Sequence, residues 1–135
     1  MSDLSITAAN VAKGSGAAVQ TKTAGATITA GKLVYLDSND QAQLADCDVL
    51  ATAACAGIAL HATLAGQPLT YQYAGNIDPG ATTVVAELYV VANASGGIMP
   101  IGDLGSGDYL FLFGVGTTTS NIELLINMSA AALKA

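Results

Sequence analysis

Turn-forming residues interrupt this chain about every eight to twelve positions, and the apolar runs between them are too short for helices. Gly, Asn, Asp, Ser and Pro cluster at residues 37–40, 66–68, 74–76, 78–80, 93–97 and 102–108. Between the clusters lie Leu33-Val-Tyr-Leu36, Ala56-Gly-Ile-Ala-Leu60, the alternating residues 69–73, Leu88-Tyr-Val-Val91 and Tyr109-Leu-Phe-Leu-Phe-Gly-Val115. Short runs with β-branched and aromatic residues suit strands. The expectation is an all-β fold: a small barrel or sandwich of about eight to ten short antiparallel strands, with at most one short helix.

Residues 29–73 form the centre of this pattern. Leu33 opens an apolar run, and Asp37-Ser-Asn-Asp40 then supplies turn chemistry, because Asn and Asp bond their own backbone and tolerate left-handed geometry. Residues 41–44 return as the second strand of a hairpin. Leu69, Tyr71 and Tyr73 alternate with Thr70 and Gln72, which is the period of a half-buried strand. Residues 46–56 are the most helix-compatible segment, with Asp46 or Asp48 placed to cap a turn or two. Pro100 marks an edge strand or a strand end. Residues 109–115 read as one strand buried on both faces, residues 121–128 as the last strand, and residues 129–135 as a tail of one helical turn.

The same order of events recurs about 55 residues later. Gly25-Ala-Thr27 precedes Leu33 as Gly80-Ala-Thr82 precedes Leu88, and Ala56-Gly-Ile58 aligns with Phe113-Gly-Val115. Residues 69–73 align with residues 122–126. Identity between the halves is low, so the repeat is one of spacing and points to an internal duplication.

Residues 1–16 are polar and small, with a Gly14-Ser-Gly16 spacer, and read as a flexible N-terminal arm. Residues 17–135 read as one β-rich domain, a size that one domain accommodates. Charged residues are only 10% of the chain, against about 25% for soluble domains. A surface this poor in charge is expected to be covered by partners, in an oligomer or a larger assembly. The net charge of −6, with four lysines and no arginine, disfavours nucleic acid and anionic membrane surfaces. No run reaches the length of about 20 apolar residues that spans a bilayer, and residues 1–14 lack the basic and apolar regions of a secretory signal. Synthesis in a cytosol is therefore expected, with Cys47 and Cys55 reduced.

No constellation announces an active site. His61 is the single histidine and sits in an apolar setting. The carboxylate pairs Asp37/Asp40, Asp46/Asp48 and Asp103/Asp108 lie in turns, where Asp is favoured for backbone reasons. Two Cys and one His at these spacings match no zinc pattern. The Gly102-Asp-Leu-Gly-Ser-Gly107 loop precedes a strand and carries no Lys-Ser/Thr pair, unlike a phosphate-cradling loop. We expect no enzyme activity, no cofactor and no metal.

The run AGKLVYLD, QLADCD, AGIALHATLAGQPLTYQYAG, then AELYVVANASGGIMPIGDLGSGDYLFLFGVGTTTSNIELLINMSA, resembles small capsid decoration (cement) proteins of tailed bacteriophages. Their pattern is an AG-x-x-V-x-L strand, an LADA-like turn, a G-I-A-L strand, a GQP turn, a Y-V-V-S-x-x-x-G-G-I-x-P hairpin and a final hairpin after D-Y. The resemblance covers residues 17 to 130. Cys47 and Cys55 stand where the pattern usually has Ala. The resemblance implies a virion protein made in the bacterial cytoplasm. It would bind the outer surface of an expanded icosahedral shell as a homo-oligomer, a trimer above all, with the major capsid protein as partner. From physical argument, the arm residues Leu4, Ile6 and Val11 are candidate shell contacts, because extended segments pair with exposed edges. Tyr71, Tyr73 and Tyr89 are candidates because Tyr is enriched at interfaces. The alternative is a non-catalytic module that binds carbohydrate or attaches a fibre, which the lack of Trp disfavours.

Overall fold

The computed structural model describes residues 4–48, 50–92, 95–105, 108–126 and 132–133. In chain order the strands are β1 (Val11–Lys13), β2 (Ala18–Thr23), β3 (Leu33–Leu36), β4 (Ala42–Leu44), β5 (Gly57–Ala59), β6 (Pro68–Ala74) and β7 (Asn76–Pro79). They continue as β8 (Leu88–Val91), β9 (Ile98–Pro100), β10 (Tyr109–Leu110), β11 (Leu112–Gly116), β12 (Ile122–Leu124) and β13 (Ala132–Leu133). One helical turn, α1 (Leu50–Ala53), falls inside the segment expected to carry it. The fold is all-β, in two antiparallel sheets. One has the order β2-β6-β5-β3-β4 and the other β1-β7-β12-β11-β8-β9, with β10 and β13 paired separately. The pair is a sandwich and not a closed barrel.

Successive side chains of a strand point to opposite faces, and here they enter different apolar clusters. Leu33 and Ile58 join Tyr89, Val91, Phe113 and Ile122 between the sheets. Their neighbours Val34 and Ala59 join Ala24, Ile28, Leu69 and Tyr71 on the far face of the five-stranded sheet. That sheet curls to enclose its far face, through bridges from Ala24 to Ala42 and from Ile28 to Thr63. Val90, Ala92 and Met99 point to the far face of the six-stranded sheet, where Cys47 and Leu104 cover them. Both sheets are thus buried on two sides by Ala, Val, Leu and Ile with few aromatics, as the composition requires.

The two sheets are wired alike. β2, β6, β5, β3 and β4 correspond in order to β7, β12, β11, β8 and β9. The hydrogen bonds around the turn before β3 repeat before β8. Ile28 N–H donates to Thr63 O and Thr83 N–H to Thr119 O, at 3.0 and 2.9 Å. Gly31 N–H donates to Ala59 O and Ala86 N–H to Gly116 O, at 2.8 and 2.7 Å. Lys32 and Glu87 close the same turn on Thr29 O and Val84 O. The offset that the sequence suggested is the offset of the architecture.

The β3–β4 hairpin forms as the turn chemistry predicts. Asp37 Oδ1 accepts from the N–H groups of Asn39 and Gln41, and Asp40 takes a left-handed φ of 62°. Elsewhere the structure departs from expectation. Residues 74–76 do not reverse the chain. They carry it from β6 in one sheet to β7 in the other, so Asp78 and Pro79 belong to a strand. Gly75 makes this crossing at φ 87°, against the backbone of Gly16, where a Cβ has no room. Gln72 sits fully buried beside it and donates to Ala74 O and Asn76 O, bracing the bend. Residues 109–115 are two strands, because β10 leaves to pair with β13 while β11 joins β8 and β12. In the tail, Ala132 and Leu133 are extended, not helical; the rest of residues 127–135 lies outside the described residues.

Candidate binding surface

The N-terminal segment, expected to extend as an arm, lies on the body from Leu4 to Lys13. Leu4 N–H donates to Ile98 O and Thr7 N–H to Gly80 O, both at 2.8 Å. Leu4, Ile6 and Val11 pack half-buried against the inter-sheet cluster, and β1 pairs with β7. Met1 to Asp3 lie outside the described residues.

The tyrosine candidates are mostly unavailable to a partner. Tyr71 and Tyr89 are each 1% exposed. Tyr71 donates its hydroxyl to Gln20 Oε1, and burial, the largest influence, pushes its pKa up. The Tyr89 hydroxyl oxygen accepts the Val84 N–H at 2.9 Å. Tyr73 is half-buried against the far-face cluster of the five-stranded sheet. Of the six candidates, then, Tyr71 and Tyr89 are corrected to core residues, while Leu4, Ile6, Val11 and Tyr73 each show only part of their surface. The reason is shared: a side chain with apolar bulk in a small sandwich is drawn to the core before it can serve a surface.

The polar groups with chemical potential are engaged by the fold. His61 Nε2 accepts the Thr70 N–H at 3.0 Å, which places the ring proton on Nδ1, facing Ala62 O. Asp46 Oδ1 accepts from Asp48 N–H and from the Thr52 hydroxyl, and Asp108 Oδ2 accepts from Gly105 N–H. Cys47 and Cys55 are both buried, in different clusters. Burial pushes the Cys55 thiol up to about 12, and burial with the Asp108 and Asp48 carboxylates does the same for Cys47. Ligand atoms of Cys47, Asp48 and Asp108 lie within 4.8 Å of one another, the one such grouping among the described residues. A thiol held protonated so far above neutral pH is a weak nucleophile.

Sequence reading passed over the surface that stands out. Val84 and Val85 are 55% and 58% exposed, side by side on the turn before β8. The turn is rigid. Thr83 is buried and gives its hydroxyl to Thr118 O at 2.6 Å, in addition to the backbone bonds from Thr83, Ala86 and Glu87. Ala86 holds a left-handed φ of 67° where the first half has Gly31. Beside the turn opens a recess lined by the hydroxyl-bearing Ser5, Thr7, Thr82, Thr119 and Ser120 and by Asp78. At about 520 Å³ it has the volume of a ligand site, but it is wide open and lined by polar groups. The aligned repeat was the signal that could have found this turn, since Val84, Val85 and Ala86 fall opposite Thr29, Ala30 and Gly31.

Charge is sorted along the chain. Lys13, Lys22 and Lys32 all precede β3, and the sequence from Leu33 to Leu133 contains no cation. Asp78, Glu87, Asp103, Asp108 and Glu123 are the charged residues between Ala74 and Leu133. Among the described residues no helix is long and apolar enough to cross a membrane. No protein-family profile, no curated protein and no solved structure matches the chain.

Proposed function

We propose that this protein is a virion structural component that binds the outside of an expanded icosahedral capsid and stabilises it by bridging major capsid subunits. It acts there as a homo-oligomer, a trimer, after synthesis in the bacterial cytoplasm. The observation that carries the reading is the ordered series of strand and turn motifs from residue 17 to 130. Three features support it. The chain folds as a sandwich in which chemically versatile side chains serve turns and packing. Its charge content is low for a free monomer. Its surface displays uncharged residues on a rigid frame, suited to a contact repeated many times over a shell. Each contact in such an array adds modestly, and multivalency supplies the retention.

The test is co-sedimentation of the purified protein with empty capsids of its source phage, before and after expansion. Saturable binding to expanded shells alone is expected, with a stoichiometry that reports the oligomer. Absence of binding to either form overturns the reading. The open, hydroxyl-lined recess beside Asp78 favours a carbohydrate-binding module as second reading, to be tested by glycan binding with Asp78→Ala as control.

A further inference from the structure

We infer that the Val84–Val85 turn, with the recess that holds Asp78, is the docking point for the capsid subunit, through a segment that sets apolar side chains on the valines and a Lys or Arg toward Glu87 and Asp78. This rests on the capsid reading given above.

The molecule already shows how such a turn is covered. In the first half, Gly31 of the equivalent turn is covered by Ile6 and Val11 of the N-terminal segment, so tightly that a Cβ there would lie 2.6 Å from Ile6 Cγ2, while Thr29 remains exposed. The covering segment places Ile6 and Val11 on either side of a 3-10 turn at Ala8–Asn10, then goes on to pair with a strand of the other sheet. The second half makes the same turn with the same hydrogen bonds, and nothing among the described residues closes it. In place of Thr29 and Ala30 it carries two valines, the larger and more apolar pair, on the solvent side. Ala86 keeps the left-handed geometry although a Cβ is strained there. Strain of this kind persists where the surrounding structure over-determines it, and it collects at sites of use. The backbone bonds fix the valines in advance, so a partner loses little ordering entropy on meeting them.

Charge chooses the occupant. A second copy docked turn to turn would bring its own Glu87 and Asp78 against the same two carboxylates, and like charges oppose that contact. Two valines also offer far less than the roughly 800 Å² per partner of a stable dimer interface. A partner bound at many equivalent points, with a cation at each, meets both conditions.

The experiment compares Val84→Ser/Val85→Ser, Glu87→Lys and Leu64→Ser with the unaltered protein on expanded empty capsids, with oligomeric state and melting followed in parallel. Leu64 is 59% exposed on the first half and is the control. We expect the double variant to keep its oligomeric state and fold but to bind at least tenfold more weakly. Glu87→Lys should bind more weakly and lose part of its salt dependence, and Leu64→Ser should bind as the unaltered protein does. Equal binding by the double variant overturns the docking assignment while leaving the capsid reading intact. A changed oligomeric state with the turn altered also overturns it, by assigning the turn to contacts between copies. If the double variant does not fold, Glu87→Lys decides: unchanged binding and salt dependence overturn the assignment. Failure of the unaltered protein to bind any shell overturns the capsid reading itself.

Discussion

Residues 28–31 turn into β3 beneath Ile6 and Val11, and residues 83–86 make the same turn into β8 in the open. The halves share strand order and turn hydrogen bonds but differ in what lies over them. The five-stranded sheet curls onto its own far face. The six-stranded sheet instead borrows Cys47 from the first half and Leu104 from the loop after β9 to cover its far face. The strand β7 receives β1, whereas among the described residues the corresponding edge β2 receives no strand. A shared backbone plan fixes where side chains go; the covering segments decide which of them a partner can reach.

The comparison can be broken at its centre. Phe113 is fully buried in the cluster that serves both sheets. Phe113→Ala should cost about 3–5 kcal/mol and melt both halves together. Two separate transitions in calorimetry would show that the halves fold independently. A sharper comparison uses Gly57 and Gly114, which occupy equivalent strands. A Cβ on Gly57 would lie 2.5 Å from Gln72 O, and one on Gly114 2.5 Å from Glu123 O as well as against Ile122. Gly57→Ala and Gly114→Ala should each destabilise by about 1–3 kcal/mol, to a similar extent, in denaturant titrations.

One methyl group should cost stability in both turns, and cost more in the covered one. Gly31→Ala places a Cβ against Ile6 at φ 87° and should cost about 1–2 kcal/mol. Ala86→Gly relieves a left-handed Ala and should stabilise by up to about 1 kcal/mol in the same titrations. Loss of stability in both would mean that Ala86 is held by packing that outweighs its backbone strain.

The smallest effect is local and pH-dependent. The Gln43 side-chain amide, then the Gln41 N–H, hold the Asp37 carboxyl below its usual 3.8. A carboxylate with a depressed folded pKa stabilises fully above its unfolded value, and the contribution is lost as pH falls through the folded one. The corresponding position of the second half is Ala92, which cannot titrate. Hydrogen exchange at β3 and β4 should therefore accelerate at or below about pH 3.8, relative to β8 and β9. Asp37→Asn should remove that difference.

Much of the fold was legible because its signals are local. Asp37 and Asp40 made the first hairpin readable, the alternation of Leu69 and Tyr71 gave β6, and Pro100 marked β9 as an edge. The spacing of Gly57 and Gly114 gave the repeat. The crossing at Gly75 was not legible, since a Gly that passes a chain between sheets looks like a Gly that reverses it. The tyrosines misled because aromatic bulk serves cores and interfaces equally well. For the candidate surface, the sequence held Val84 and Val85 in plain view but said nothing about their exposure.

The sequence alone determined the strand class, the hairpin turn at Asp37–Asp40, the repeat and the sorting of charge, because these depend on neighbouring residues and on composition. Only the tertiary structure decided that the strands form a sandwich, that Ile6 and Val11 close one turn, and that Val84 and Val85 remain in solvent. Exposure is a relation between segments distant in sequence. The segment that covers Gly31 is separated from it along the chain by β2, and no local pattern encodes that meeting.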